Sequence, residues 1–536
     1  MARVVTPDML DPKTPKSVNI NAEAPEPSTD PTFGIAVPRA VGGTPQHRLV
    51  TIGDSLTHGF QSAAIYNTQI SWPRIVAWEM GWDESFRYPR YGGPGGLPIN
   101  LEYLIRQMER RFGEEISWWE FPVALFDLRE LMDRIEDYWE RGPGSQAVAY
   151  SAILHNLAVY GWDLRDALET TAPILMGRIQ APRDDFLSQV VENHNDRAAL
   201  RVLASAQRDK KALTVFEAAE AMGRDGTTEK PGTGDGIETL VVMLGANNAL
   251  GSVVQLRVTW SEKPACFNLE DKKDFTVWNP DHFIEELNAV VKQVQGIRAR
   301  HVIFATVPHV TVAPVARGVG TGKFEPGSRY FPYYTRPWIS DVAFDAADSP
   351  HITHAEARAV DSAIDQYNEA IVDAVKTNRQ AGRDWYVLEL AGLLDRLAQR
   401  RYISDPAARP EWWTPYPLPD VLAALQPPPT SRFFASDVKG RTEGGLFSLD
   451  GVHPTTIGYG IVAQEVIRIM ELAGVRFFEG NGQKARAGPV AVNFRRLIEL
   501  DTLISKPPVS LSADVRLLGW LDEHFGWLPR LLGRVA

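Results

Sequence analysis

The sequence has almost no cysteine. One residue, Cys266, stands alone in 536, which excludes an intrachain disulfide and is compatible with a reducing compartment. A lone cysteine of this kind reads as a small buried residue before it reads as a reactive thiol. No uninterrupted apolar run is long enough to span a bilayer. The first residues, Met1-Ala2-Arg3-Val4-Val5-Thr6-Pro7-Asp8, lack the apolar core of a secretory signal. The expected location is therefore cytoplasmic, with a processed secreted form left open. Positive charge is also in deficit: 56 Lys and Arg face 67 Asp and Glu, a formal net charge of -11. That argues against a general nucleic-acid-binding role, which needs a basic face.

Several motifs are missing as well. The turn Tyr91-Gly92-Gly93-Pro94-Gly95-Gly96 does not fit G-x-G-x-x-G, because the third position counted from Gly93 is Pro98. The run Gly318-Val319-Gly320-Thr321-Gly322-Lys323 suggests a phosphate loop but fails the Walker spacing, since Arg317 and Phe324 stand where Gly and Ser or Thr are needed. His351, His354 and Glu356 lack the H-E-x-x-H order, and no cysteine supports them, so they read as a helix start and not as a metal site. No metal and no organic cofactor is expected. The composition is that of an ordinary folded chain, 44% hydrophobic and 23% charged, and long enough for a large core.

What is present begins at Leu49-Val50-Thr51-Ile52-Gly53-Asp54-Ser55-Leu56-Thr57-His58-Gly59. A β-branched apolar run stops at Gly53 and helix-compatible sequence follows, the pattern of a buried strand, a tight turn and a helix start. A serine there sits at the carboxyl end of a strand, where open α/β sheets bind ligands. Far along the chain, Ser448-Leu449-Asp450-Gly451-Val452-His453-Pro454 places an Asp three residues before a His, with Pro at a first helical position. At that spacing the carboxylate can accept from one ring nitrogen while the other takes a proton from a serine. Ser55, His453 and Asp450 are thus candidate nucleophile, general base and orienting carboxylate. His58 is a rival base, but no carboxylate stands at a fixed spacing from it.

At these residues the sequence resembles the GDSL, or SGNH, hydrolase family. Gly53-Asp54-Ser55-Leu56 matches the nucleophile block. Asn156-Leu157-Ala158-Val159-Tyr160-Gly161 is similar to the block with the oxyanion glycine. Gly245-Ala246-Asn247-Asn248 resembles G-x-N-D, and Asp450-Gly451-Val452-His453-Pro454 matches D-x-x-H. The four occur in the family's order. Asn248 departs from the usual Asp. The resemblance implies that the backbone N–H groups of Ser55 and Gly161 and the Asn247 side chain bind an oxyanion. It also implies the three-layer α/β/α, flavodoxin-like fold.

Strands alternating with helices predict an α/β chain with a parallel sheet covered on both sides. Five strands are expected, at about 47–52, 147–159, 237–244, 301–308 and 385–390. Residues 1–45 read as an extended, partly disordered arm, 46–489 as the hydrolase domain, and 490–536 as a helical extension. Long insertions fall at about 98–146, 163–236, 311–350 and 400–446. Trp412, Trp413 and His309 are candidates for the wall of a substrate pocket, because they lie in or beside loops near strand ends. The C-terminal helices make interfacial membrane contact conceivable, but their polar face is not markedly basic.

The function expected is hydrolysis of a carboxylic ester through an acyl-serine intermediate, with a small-molecule, lipid or acylated-carbohydrate ester as substrate. Three alternatives stand beside it. The acyl group could pass to an alcohol (an acyltransferase), the substrate could be a thioester, or the chain could be a binding module without turnover. Acyl length, the alcohol portion and the oligomeric state are not readable from the residues.

Overall fold

The computed structural model describes residues 4–38, 42–113, 120–146, 148, 150–182, 190–204, 212–230, 234–480, 482–509 and 519. The elements that frame the site are, in chain order, β1 (His47–Gly53), α1 (Ser55–His58), α2 (Trp72–Glu79), α3 (Val215–Gly223), β2 (Ile237–Met243), α4 (Pro280–Gly296), β3 (Ala299–Ala305), α5 (His354–Gln380), β4 (Trp385–Leu388), α6 (Leu390–Leu397) and α7 (Thr456–Ala473).

The four strands form one parallel sheet in the spatial order β1-β2-β3-β4. β1 and β2 are buried along their whole length, which is why residues 49–52, apart from Thr51, and 240–243 are apolar on both faces instead of alternating. Successive side chains still point to opposite faces, and the alternation divides the core. Val50, Ile52, Leu240, Val242, Val302 and Phe304 pack with α3, α4 and α5. Leu49, Val241, Met243, Ile303, Ala305 and Leu388 pack with α2, α6 and α7 on the other face. The mixed α/β architecture with helices on both faces therefore follows from strands that are apolar on both sides.

The sheet has four strands where five were expected. The missing row lies at 147–159, of which 147 and 149 are outside the described residues. Residues 155–159 do run parallel to β1: Thr51 N–H donates to His155 O at 2.9 Å, Leu157 N–H to Thr51 O at 2.8 Å, and Val159 N–H to Gly53 O at 3.0 Å. The ladder is broken by polar residues. The N–H groups of His155 and Asn156 turn away to Arg87 O, and the Asn156 side chain accepts from Ala158 N–H and Thr51 Oγ1 at 3.1 Å each while donating to Thr57 O. Asn156 thus replaces backbone pairing with side-chain pairing beside the serine turn.

The insertions carry structure of their own. The 311–350 region supplies most of a small antiparallel sheet, Arg317–Gly318 with Tyr333–Thr335 with Ile352–Thr353. The 400–446 region ends in a hairpin, Ala435–Asp437 with Gly440–Glu443. The N-terminal arm is extended but fastened. Ser17 Oγ donates to Asn279 at 2.9 Å, Asn21 N–H to Ser362 on α5 at 3.0 Å, and the arm's Pro31 O accepts from Val387 N–H of β4 at 3.2 Å. His354 opens α5 behind a Thr353 cap, and Glu356 closes a capping box there, so this cluster is a helix start. Of the expected helical extension at 490–536, helices at Phe494–Leu500 and Thr502–Ser505 are described; its remainder from residue 510 lies outside the described residues apart from Gly519. Among the described residues no helix is long and apolar enough to cross a membrane.

Candidate functional site

β1 and β2 are in register with Gly53 opposite Met243, so the turns that leave them, 54–57 and 244–248, emerge side by side. Residues 155–161 flank β1 on its other edge. The chain leaves β1 for one side and returns as β2 on the other, and Ser55 stands at that parting of the sheet. Gly53 is required by close approach: a Cβ there would lie 2.9 Å from Met243 O and nearer still to Thr57. Asp54 caps α1, its carboxylate accepting from Leu56 N–H at 3.1 Å, and Ser55 is the first helical residue, buried at 6% exposure.

Asp450 and His453 share one turn. Asp450 Oδ1 accepts from the N–H groups of Val452 and His453 at 2.8 Å each. Its Oδ2 accepts from Ala63 N–H at 2.9 Å and faces His453 Nδ1 at 3.0 Å. Burial pushes this carboxyl up, but His453 and the donors around it outweigh burial and hold it below the ordinary range. An ionised Asp450 makes Nδ1 the protonated nitrogen and leaves Nε2 as the acceptor. His453 Nε2 is buried with no hydrogen-bond partner.

The turn is delivered to the serine by residues 60–63, which follow α1 directly. Phe60 lies 4.6 Å from His453 and 4.8 Å from Tyr160, ring to ring, and Tyr459 of α7 donates to Phe60 O at 2.7 Å. Ser62 N–H donates to Ser448 Oγ at 2.9 Å. Ser62 and Ala63 are left-handed, with φ of 49 and 62, a conformation that non-glycine residues hold only when the surroundings dictate it. Here it aims both N–H groups at the 448–450 turn. No pattern in the sequence marks Ser62 or Ala63.

Gly161 and Asn247 lie on two turns that are joined to each other. Gly161 has φ of 74 and follows Tyr160, whose N–H donates to His58 Nδ1 at 3.1 Å. Asn247 donates to Trp162 O at 2.8 Å, and Asn248, fully buried, accepts from Leu164 N–H at 3.4 Å. The two asparagines join the 245–248 turn to the 161–164 turn, a task an amide at 248 performs by accepting, as an aspartate would. A residue not singled out from sequence, Asn195, braces the same turn: it donates to Tyr160 O and accepts from Trp162 Nε1 at 3.2 Å.

His58 is not a competing base. Its Nδ1 accepts from Tyr160, so its Nε2 donates to Tyr91 Oη at 2.8 Å, and burial pushes it down to about 3. It is a neutral strut between α1 and the 160–161 turn. The three pocket candidates lie elsewhere. Trp412 donates to Ala24 O of the N-terminal arm at 3.3 Å. Trp413 is buried against Tyr402 and donates to Asp395 O at 2.9 Å. His309 sits between Asp365 at 2.7 Å and Asp395 at 3.2 Å. Their recorded contacts are with the arm and a buried ionic cluster, not with Ser55 or His453.

Asp54 carries a pH signature. Burial pushes it from 3.8 up to about 7, against the Leu56 N–H bond and the His453 charge that lower it. A folded pKa above the unfolded one means that the folded chain keeps a proton the unfolded chain has released. Stability from this residue is full below the unfolded value and lost as pH rises through about 7. Asp54→Asn is therefore expected to gain on wild type by about 2–4 kcal/mol between mildly acid and mildly alkaline buffer. Urea unfolding of both chains at the two pH values checks it; a difference that does not vary with pH would remove the assignment.

Comparison with known proteins returns nothing: no family model, no curated protein and no solved structure matches the chain.

Proposed function

We propose that the chain is a serine ester hydrolase in which Ser55 attacks, His453 is the base and Asp450 orients it. The observation that carries this is the Asp450–His453 turn, docked on the segment that leaves the serine helix, with one imidazole nitrogen committed to the carboxylate and the other buried without a partner. Such a nitrogen is costly to bury for structure alone and is what a serine nucleophile requires. Ser55 Oγ gives up its proton to His453 Nε2 as it attacks the ester carbonyl. Asp450 stabilises the resulting imidazolium, which then protonates the leaving alcohol, and water releases the acyl group by the reverse use of the same base. The Ser55 and Gly161 N–H groups and the Asn247 amide are the proposed oxyanion donors.

The resemblance to the SGNH hydrolases supports the same reading, because its four blocks lie around one end of β1. The spatial order of 155–159, β1, β2, β3 and β4 also supports the finer form of the fold, a three-layer flavodoxin-like sheet with a fifth, irregular edge row.

The test is a panel of aryl esters from acetyl to long acyl, offered to wild type and to Ser55→Ala. Turnover by wild type alone, with a serine-directed phosphonate labelling wild type and not the variant, is the expected outcome. Inertness of wild type toward both the panel and the phosphonate would end the proposal.

A further inference from the structure

The two insertions at 311–350 and 400–446 line most of a half-open cavity of about 1130 Å³. Val312, Ala313, Phe331, Phe433 and Phe434 form apolar walls, and six cationic side chains face four carboxylates, Glu325, Asp341, Asp405 and Glu443. In a chain of net charge -11 the lining thus carries a cationic excess. Arg317 and Arg432 are paired, with Asp341 and Glu443; Lys323, Arg329 and Arg400 are less well matched. Lys323 donates to a backbone carbonyl, Arg400 O, at 2.8 Å, and Arg400 donates to Gly318 O at 2.6 Å. Both stand over the Phe331 ring, at 4.0 and 4.7 Å.

Arg329 is the decisive residue. It is 5% exposed, and none of its three guanidinium nitrogens makes a hydrogen bond. Its nearest carboxylate oxygen, Asp365 Oδ2 at 3.6 Å, already accepts from Asn21 at 2.9 Å, and the other oxygen of Asp365 is taken by His309. Five donors on a buried guanidinium without an acceptor are costly. Behind it Tyr330, Tyr402, Asp365 and Asp361 outweigh burial and keep the guanidinium cationic, but none of them accepts a hydrogen bond from its nitrogens. Burial and the Arg401 charge push the Lys323 ammonium down to about 7, and Asp405 opposes them only in part.

We propose that this cavity is a binding site for a small anionic amphiphile, whose phosphate or carboxylate head pairs with Arg329, Lys323 and Arg400 and whose apolar body lies against Phe331, Phe433 and Phe434. The glycines of 318–322 line the same cavity; they offer backbone close to the head without the spacing of a nucleotide loop. The cavity does not include the serine turn in its lining, but it adjoins the Asp450–His453 turn. Val315 N–H donates to Gly451 O at 2.9 Å, and a Cβ at Gly451 would lie 2.8 Å from Phe433.

The test uses the full chain carrying Ser55→Ala, so that ester chemistry plays no part and the outcome is independent of the hydrolase reading. Hexyl phosphate and hexanol are titrated calorimetrically. One hexyl phosphate per chain and no hexanol is the expected result. Lys323→Gln and Arg400→Gln, both at half-buried positions where the fold should survive, are each expected to weaken binding about tenfold or more. Absence of hexyl phosphate binding, equal binding of hexanol, or unchanged affinity in both folded variants would overturn the proposal.

Discussion

His453→Ala is expected to abolish ester turnover, by about 10⁴-fold or more, and to lower stability as well. Nε2 has no partner to lose, but the buried ring packs on Phe60 and is the largest of the influences that hold Asp450 ionised against burial. The N–H groups of Ala63, Val452 and His453 remain to the carboxylate and limit the loss. Asp450→Asn is the informative companion. It too should cost about 10⁴-fold, because an amide does not hold the tautomer that leaves Nε2 free. It should also lower stability, since an NH₂ group would be set against buried N–H donors. Turnover measured beside urea unfolding checks both halves of each expectation. If His453→Ala retained turnover, the turn would be a structural pair and the mechanism wrong.

His309→Gln is expected to have the largest effect on stability, a loss of about 3–5 kcal/mol. Burial alone lowers the pKa of this ring, but Asp361, Asp395 and Asp365 outweigh burial and raise it from 6.5 to about 10. The imidazolium joins Asp365 on α5 to Asp395 on α6, and Arg401 joins Asp395 at 3.0 Å to Asp361 at 2.7 Å. Removing the ring leaves two buried carboxylates short of a counter-charge. The pH dependence follows from the sign of the shift. A raised folded pKa gives stability that is complete below 6.5 and is lost as pH rises through about 10. The gap between wild type and His309→Gln should therefore be wide at about pH 6 and narrower at about pH 9. A gap of constant width would show that the ring is neutral in the folded chain.

These residues also show what a sequence discloses. The strand end before Ser55 and the turn shared by Asp450 and His453 were legible because each is set by residues close by in the chain: a strand that stops at glycine, and an Asp three places before a His. β2 was legible because a strand covered on both faces has little choice but continuous apolar residues. The edge row at 155–159 was not, because Asn156 spends its side chain on pairing that backbone would otherwise provide, and the composition of the run does not reveal this. Ser62 and Ala63 carry no mark of the left-handed turn that the distant Asp450 imposes on them. Trp412, Trp413 and His309 were placed correctly in or beside loops, but a loop has two sides. Which side an aromatic ring or an imidazole faces depends on partners such as the arm at Ala24 or the acids of α5, hundreds or tens of residues away.

The arm that crosses β4 bears on how copies of the chain meet one another. An open parallel sheet has two rims whose unused N–H and C=O groups can recruit a strand from another molecule. On one rim, residues 155–159 already pair with Thr51 and Gly53 of β1, and the outward N–H groups of His155 and Asn156 are taken by Arg87 O. On the other, Pro31 takes the Val387 N–H, and a proline offers no donor in return. At the described contact the arm thus occupies part of the β4 rim with backbone that cannot pass the ladder on, which leaves an incoming strand less to pair with there.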